Sequence, residues 1–271
     1  MKLISLFSLC FLFLVSCSPN NVDEDTSLRK FFDDSKTDGC FAMLDNGTGK
    51  FTVYNLARYR DSSFLPASTF KIVNSLIGLQ TGKISSDSMV IKWDGVTRAV
   101  PEWNQDLTMY KAFRVSAVPY YQEVARRIGK DTMQAWLDTL SYGTKKITSA
   151  IDTFWLDNSL KISPDEQLGL VKRLYFDQLP FYKTYQEMVK RAMILEDNTQ
   201  YQLAYKTGWS GWDAKTGKHL GWVLGWIVEN RHPYFFVLNL ESKTKEFDMV
   251  TVRKQMLTDI LKHLGFMQGK M

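Results

Sequence analysis

Apolar runs of strand length lie at the two ends of the chain, and turn-forming residues separate them. Alternating or continuous hydrophobicity over about four to eight residues is typical of strands. Between the first two runs, the tetrapeptide Asn46-Gly47-Thr48-Gly49 predicts a hairpin turn. The predicted strands are 40–45, 51–57, 201–209, 221–228 and 234–240.

Helical spacing dominates the middle of the chain and returns near its end. Met249, Val252, Met256 and Ile260 recur at three- and four-residue intervals, which predicts an amphipathic C-terminal helix. A largely buried helix is also expected early in the chain, ending near Gly82. The predicted helices before residue 200 are 68–79, 121–127, 133–140, 164–176 and 181–193.

This order of elements predicts an α/β (α+β) fold. Strands at both ends with a helical middle indicate that the two ends share one antiparallel sheet flanked by helices. We assign residues 31–92 and 199–271 to the sheet subdomain and residues 93–198 to an inserted helical subdomain. A ligand cleft is expected where the two subdomains meet.

The first 17 residues predict a processing segment. A positively charged start precedes an apolar stretch over 3–15, which is shorter than the roughly 20 residues that cross a bilayer. The stretch ends in Leu14-Val15-Ser16-Cys17, which resembles a bacterial lipoprotein signal with Cys17 as the lipidated first residue. Ordinary secretion with cleavage near residues 16–18 is the alternative. Polar residues over 18–30 predict a flexible tether.

Composition narrows the classes of function. The 271 residues are 45% hydrophobic and carry a formal net charge of +5, with both signs of charge mixed throughout. No dense basic block suggests nucleic acid as a partner. Cys10 and Cys17 belong to the processing segment, so Cys40 is left alone as a small buried residue without an internal disulfide. No metal site is expected, because the three histidines lack metal-ligand spacing: His219, His232 and His263.

The strongest chemical signal is the tetrapeptide Ser68-Thr69-Phe70-Lys71, which follows Pro66 and begins the predicted helix 68–79. Ser68 and Lys71 are three residues apart, so on a helix the amine can reach the hydroxyl. Free backbone N–H groups in a first helical turn favour a developing negative charge. The pattern indicates acyl transfer through a serine nucleophile. Taken alone, it also fits a capping serine followed by a surface lysine.

Three short motifs occur twice, and only their context distinguishes the copies. Ser-x-x-Lys recurs at 27–30, in a polar stretch without a helix-start context. Lys-Thr-Gly at 206–208 ends a predicted strand, whereas the copy at 215–217 lies among turn residues and predicts a hairpin tip. Ser-x-Val occurs at 88–90 and at 116–118. No single copy is informative by itself.

Taken in order, four motifs resemble the serine β-lactamases and penicillin-binding proteins: 68–71, 116–118, Trp155-Leu156 and 206–208. The stretch 66–79 looks like the class D (oxacillinase-type) β-lactamases, and the similarity runs from about residue 40 to the C-terminus. It implies the β-lactamase/penicillin-binding-protein transpeptidase-like fold. Class A enzymes carry Ser-Asp-Asn in place of Ser-Ala-Val. Class D members usually have asparagine where this chain has Thr144, which therefore receives no role.

The resemblance also implies a role for each site residue. Ser68 is the nucleophile, and Lys71, N-carboxylated by CO₂, is the general base that Trp155 holds. Ser116 passes a proton to the β-lactam nitrogen, and the backbone N–H groups of Ser68 and Trp209 form the oxyanion hole. No cofactor is expected beyond this CO₂. The substrate-binding residues are Lys206, Thr207, Gly208, Trp209, Arg253, Val118 and Leu156.

Several of these residues also have a purely structural explanation. Ser116 fits the beginning of a helix before Pro119. Trp155 and Leu156 fit a hydrophobic core, and Arg253 fits the solvated face of a helix. Only the order of the motifs favours the catalytic interpretation.

We therefore expect a class D β-lactamase that hydrolyses β-lactam antibiotics through an acyl-enzyme on Ser68 and gives resistance to them. It is expected in the periplasm or outer membrane of a Gram-negative bacterium, lipid-anchored through Cys17, as a monomer or homodimer. The alternatives are a penicillin-sensing receptor domain that stays acylated, a cell-wall transpeptidase or carboxypeptidase, and a non-catalytic surface lipoprotein.

Overall fold

A seven-stranded sheet is the centre of the fold in the computed structural model, which describes residues 21–268. Its strands are β1 (Val22–Glu24), β2 (Asp38–Asp45), β3 (Phe51–Tyr54), β6 (Ile194–Asp197), β7 (Tyr201–Asp213), β8 (Lys218–Glu229) and β9 (His232–Ser242). A small separate ribbon pairs β4 (Val90–Ile91) with β5 (Leu107–Thr108). The order in the main sheet is β1-β3-β2-β9-β8-β7-β6. Neighbours are antiparallel except β1 and β3, so the sheet is mixed rather than fully antiparallel.

Helices cover both faces of this sheet. They are α1 (Arg29–Asp34), α2 (Leu56–Asp61), α3 (Lys71–Gln80), α4 (Met109–Arg114), α5 (Val118–Ile128), α6 (Lys130–Leu140), α7 (Pro164–Tyr175), α8 (Lys183–Met193) and α9 (Met249–His263). α9 packs on one face together with α1, while α7 packs on the other, followed by α3, α5 and α8. Within residues 21–268, none of the helices combines the length and the apolarity that a bilayer span requires.

Two hydrophobic cores hold these layers together, one on each face of the sheet. The first core contains Phe70, Trp155 and Trp222, and the second contains Phe236 and Ile260. β8 and β9 are buried on both faces, which is why their sequences are almost continuously apolar instead of alternating. Cys40 is a free, buried residue of the first core, as predicted.

The predicted division into a sheet subdomain and a helical insertion describes most elements. α4 to α8 lie within residues 93–198, and β7, β8, β9 and α9 lie after residue 199. β6 belongs to the sheet although its residues fall in the helical span, because Ile194 pairs with Ala204 of β7.

The strand predicted over 51–57 ends earlier, at Tyr54. Asn55 has a left-handed φ of 60°, and its side chain accepts a hydrogen bond from the backbone N–H of Arg58 at 3.2 Å. Asparagine tolerates this conformation and is a favourable helix cap. The chain therefore turns into α2, a helix that the apolar pattern did not predict.

The flexible tether predicted over 18–30 is wrong for residues 22–30. β1 pairs with β3, so that Val22 lies opposite Phe51, and Leu28 is completely buried in the second core. Strand pairing and burial of Leu28 fix this polar stretch to the domain. The processing segment 1–17, including Cys17, lies outside the described residues.

Leu28→Ala tests this correction. Because Leu28 is fully buried, its truncation should lower the free energy of unfolding by about 2–5 kcal/mol. Val96→Ala is the control: Val96 is 55% exposed, and its truncation should change stability by less than about 0.5 kcal/mol. Urea titrations of both variants measure the difference. If Leu28→Ala were as stable as the parent, the prediction of a flexible tether over residues 22–30 would stand.

Candidate active site

Ser68 stands at the start of a helix, as predicted, in the 3-10 turn Ala67–Phe70 that leads into α3. The preceding residue, Ala67, has a left-handed φ of 48°. Such a conformation costs a non-glycine residue about 1–3 kcal/mol, so its surroundings must hold it in place. The backbone N–H of Ala67 donates to the carbonyl oxygen of Trp155 at 3.1 Å. A distant segment of the chain thus fixes the turn that carries the serine.

The side chains of Ser68 and Lys71 are hydrogen-bonded to each other. Nζ of Lys71 lies 2.8 Å from Oγ of Ser68, and Lys71 is only 1% exposed. Burial lowers the pKa of the amine from its usual 10.5 to about 7. A large fraction of the amine is then neutral at neutral pH and can accept the hydroxyl proton of Ser68. The alternative of a surface lysine is wrong.

Trp155 is buried beside this pair, with an indole N–H that has no acceptor among residues 21–268. Its ring stacks on Phe70, with 5.4 Å between the ring centroids. A buried donor without a partner is costly, and such groups are often functional. The tryptophan is therefore both a core residue and a buried donor without a partner in the described part of the chain. Its neighbour Leu156 is half-buried.

Ser116 and Lys206 form a second serine–lysine pair. Nζ of Lys206 donates to Oγ of Ser116 and to the carbonyl oxygen of Thr207, both at 3.0 Å. Burial, followed by the positive charges of Lys71 and Arg253, holds the pKa of Lys206 well below 10.5. Ser116 has a left-handed φ of 54° and precedes the N-cap of α5. It is therefore not the first residue of a helix.

Strand β7 passes unusually close to the turn that carries Ser68. A Cβ on Gly208 would lie 3.0 Å from the carbonyl oxygen of Pro66 and 3.1 Å from Trp222, so any other residue here would have to push these neighbours slightly away. The next residue, Trp209, is partly exposed, and Val118 at the beginning of α5 is half-buried. The strand edge, α5 and the nucleophile turn together form one site.

Arg253 reaches this site from α9. Its side chain is buried, and its guanidinium donates to the carbonyl oxygen of Gly208. Its Nε has no partner in the described part of the chain. Burial lowers the pKa of Arg253 to about 10, although Tyr205 and Asp248 oppose the shift. The alternative of a solvated arginine is wrong, because α9 turns this residue inward toward β7.

Gln167 contributes to the site, and sequence analysis missed it. This buried side chain of α7 donates to Oγ1 of Thr69 at 2.8 Å, and Thr69 donates to the carbonyl oxygen of Pro66 at 2.7 Å. These two hydrogen bonds connect α7 to the turn that carries Ser68. The available signal was a glutamine on the apolar face of a predicted helix, where a buried polar group needs a partner.

The other copies of the repeated motifs lie away from this cluster. Lys215, Thr216 and Gly217 form the turn between β7 and β8, as predicted. Nζ of Lys30 lies 3.3 Å from a ring nitrogen of His263. The backbone N–H of Thr144 donates to the carbonyl oxygen of Lys161, and Oγ1 of Thr144 accepts from the backbone N–H of Lys161. In residues 21–268, no group of three or more His, Cys, Asp or Glu residues is arranged to hold a metal ion.

Comparisons with known proteins identify a matching family model, a related sequence and two similar solved structures. A family model described as the penicillin binding protein transpeptidase domain matches residues 34–262. The chain is 36% identical over 249 residues to beta-lactamase OXA-11 of Pseudomonas aeruginosa, covering 92% of each protein. It is similar to the structure of FUS-1 (OXA-85), a class D β-lactamase from Fusobacterium nucleatum subsp. polymorphum, with a TM-score of 0.84 and 35% identity over 91% of this chain and 100% of that one. The C-terminal domain of the Bacillus licheniformis BlaR penicillin-receptor gives a TM-score of 0.83 and 30% identity over 90% and 97% of the two chains.

Replacing Lys71 with methionine is expected to stabilise the fold at pH 7. The pKa of Lys71 in the folded protein, about 7, lies below its usual value of 10.5. The unfolded chain therefore binds more protons between these pH values, and the stability of the parent rises with pH in that window. Urea titrations should give Lys71→Met the larger unfolding free energy at pH 7, with a smaller gap near pH 10. If the difference in unfolding free energy between Lys71→Met and the parent widened with pH, the lowered pKa of Lys71 would be contradicted.

Proposed function

This chain belongs to the class D serine β-lactamases, and we propose that it hydrolyses β-lactams through an acyl-enzyme on Ser68. The observation that carries the proposal is the buried Lys71 amine bonded to the Ser68 hydroxyl. A serine hydroxyl is a weak nucleophile until a neighbouring base takes its proton. Lys71 is the base that the geometry offers.

Acylation uses both serine–lysine pairs. Lys71 takes the proton of Ser68 as Oγ bonds to the β-lactam carbonyl carbon, and the carbonyl electron pair moves onto its oxygen. The backbone N–H groups of Ser68 and Trp209 stabilise this oxyanion. As the carbonyl re-forms, the ring C–N bond breaks and the nitrogen takes a proton from Ser116. Protonated Lys206, with Nζ 3.0 Å from Oγ of Ser116, returns a proton to that oxygen.

Lys206, Thr207 and Arg253 bind the ring carboxylate of the substrate. Burial disfavours the charged form of Lys206, and the charges of Lys71 and Arg253 disfavour it further. An arriving carboxylate has the opposite effect and favours protonated Lys206. Arg253 contributes a guanidinium that is fixed by its hydrogen bond to Gly208 and suited to carboxylates.

Deacylation requires a base that activates water, and the residues around Lys71 fit the N-carboxylation that class D membership implies. A neutral buried amine is the form that adds CO₂, and the unpaired Nε1 of Trp155 is a suitable donor to a carbamate oxygen. When present, the carbamate on Lys71 would supply a carboxylate-type general base for Ser68 in acylation and for water in deacylation. Lys71 and Trp155 are the residues that would hold it.

Hydrolysis of a chromogenic cephalosporin, measured with and without bicarbonate, tests this function. Turnover by protein beginning at residue 18 should rise with bicarbonate. Lys71→Ala should lower it by about 10²–10⁴-fold, since the variant lacks the base. Lys30→Ala removes the matching lysine of the other Ser-x-x-Lys motif and should leave turnover unchanged.

Intact mass after exposure to penicillin separates a hydrolase from a sensor. A hydrolase regains its original mass, whereas a receptor domain of the BlaR type keeps the acyl group. A stable one-to-one adduct without turnover would contradict hydrolysis, and Ser68→Ala should form no adduct in either case.

We also propose that the chain is anchored through a lipid on Cys17, in the periplasm or outer membrane of a Gram-negative bacterium. The lipoprotein-like sequence before Cys17 supports the anchor. Since β1 begins at Val22, only residues 18–21 separate the anchor from the domain, at most roughly 14 Å of extended chain.

Cys17→Ser tests the anchor. The variant should move from the membrane fraction to the soluble fraction of cells, because a single serine cannot carry the lipid. Cys10→Ser, within the apolar stretch of the signal, is the matched control and should remain with the membrane. Parent protein found in the soluble fraction would rule out the anchor.

A further inference from the structure

A small cavity lies at the end of the site where the ring carboxylate is proposed to bind. It has a volume of about 140 Å³ and sits where β6 stops pairing with β7. Ala204 is the last residue of β7 that pairs with β6, so one edge of β7 from Tyr205 onward is not paired with another strand. The residues that line the cavity include Phe113, Arg114, Tyr205, Lys206, Thr207 and Lys254.

Positive charge dominates this cavity. Arg114, Lys206 and Lys254 line it, and no aspartate or glutamate does. None of the three takes part in an ion pair among residues 21–268. The nearby carboxylates are engaged outside the cavity: Glu196 accepts from the hydroxyl of Tyr201, and Asp248 accepts from the N–H of Thr251. No carboxylate lines the cavity, although the charge of Glu196 acts on Tyr205 and that of Asp248 interacts with Lys254 from outside it.

One of these cations is fixed beside the strand edge by a hydrogen bond, and another lies on the neighbouring helix α9. The guanidinium of Arg114, at the end of α4, donates to the carbonyl oxygen of Ile194, the first residue of β6. Lys254 follows the buried Arg253 on α9 and is itself exposed. Burial and then the negative charge of Glu196 raise the pKa of Tyr205, and the positive charges of Arg253 and Arg114 oppose that rise, so both cations act at this position of β7.

We propose that this cavity is a subsite for a second anionic group on the β-lactam, such as a carboxylate on the ring substituent next to the ring carboxylate. The inference rests on the proposed function. Lys206, Thr207 and Arg253 take the ring carboxylate. Arg114 and Lys254 line the same cavity as Lys206 and Thr207, so a substituent that enters the cavity from the ring carboxylate would meet both cations. The enzyme therefore prefers dianionic β-lactams over otherwise identical monoanionic ones.

Two cephalosporins that differ only at C3 test the subsite, one with a neutral acetoxymethyl group and one with a carboxymethylsulfanylmethyl group. Arg114→Gln and Lys254→Gln should each raise KM for the dianionic substrate by roughly two- to five-fold, as expected for exposed charge pairs. The double variant should raise it by roughly ten-fold if the effects multiply. KM for the neutral-substituent substrate should change less than about two-fold in each variant.

Lys262→Gln is the matched control, because Lys262 is an exposed lysine on the same helix but in its last turn. It should affect neither substrate. Raising the ionic strength should remove the preference of the parent for the dianionic substrate, since exposed charges are screened. A ratio of the two KM values that is the same in the parent and the double variant would overturn the subsite.

Failure of hydrolysis and failure of the subsite give different results. If neither cephalosporin is turned over but both acylate Ser68, the hydrolase proposal fails, and the acylation rate constants of the same variants still compare the two substrates. If both are turned over with equal efficiency by all variants, hydrolysis stands and the subsite does not.

Discussion

The buried amine of Lys71 is the constraint on which the rest of the site depends. Removing an ammonium group from water is costly, so the amine gives up its proton near neutral pH. The desolvation that lowers the pKa of this amine also lowers the free energy of unfolding near neutral pH. The buried rings of Phe70, Tyr121 and Trp155 exclude water around it and contribute apolar burial that offsets part of this cost. The aromatic core therefore helps to keep the pKa of Lys71 low.

Burial also lowers the pKa of the two other cations of the site, Lys206 and Arg253. Lys206 and Arg253 are buried without an ion-pair partner among residues 21–268. Burial disfavours the charged forms of both, and the positive charges of Lys71 and Arg253 lower the pKa of Lys206 further. An anionic ligand supplies the charge that the protein itself lacks. Substrate binding then relieves an electrostatic cost already present in the folded state, which favours anionic substrates over neutral molecules of the same shape.

Sequence patterns predicted those features that neighbouring residues determine. The spacing of Ser68 and Lys71, the turn at 46–49 and the apolar face of the last helix all depend on local chemistry, and the structure contains each of them. Residues 22–30 were misjudged, and the orientation of Arg253 was left open between two alternatives, because in both cases burial depends on partners far along the chain. A polar strand is ordered when a distant strand pairs with it, and an arginine faces inward when a distant carbonyl accepts its hydrogen bond.

Backbone strain explains why the order of the motifs was more informative than any one of them. Ala67 and Ser116 adopt left-handed φ values of 48° and 54°, which neither residue type favours. Such conformations persist only where surrounding structure fixes them. The carbonyl oxygen of Trp155 holds the first and the amine of Lys206 contacts the second, so each motif supports another. The copy of Ser-x-x-Lys at 27–30 has the same residues without these supports, and it forms no site.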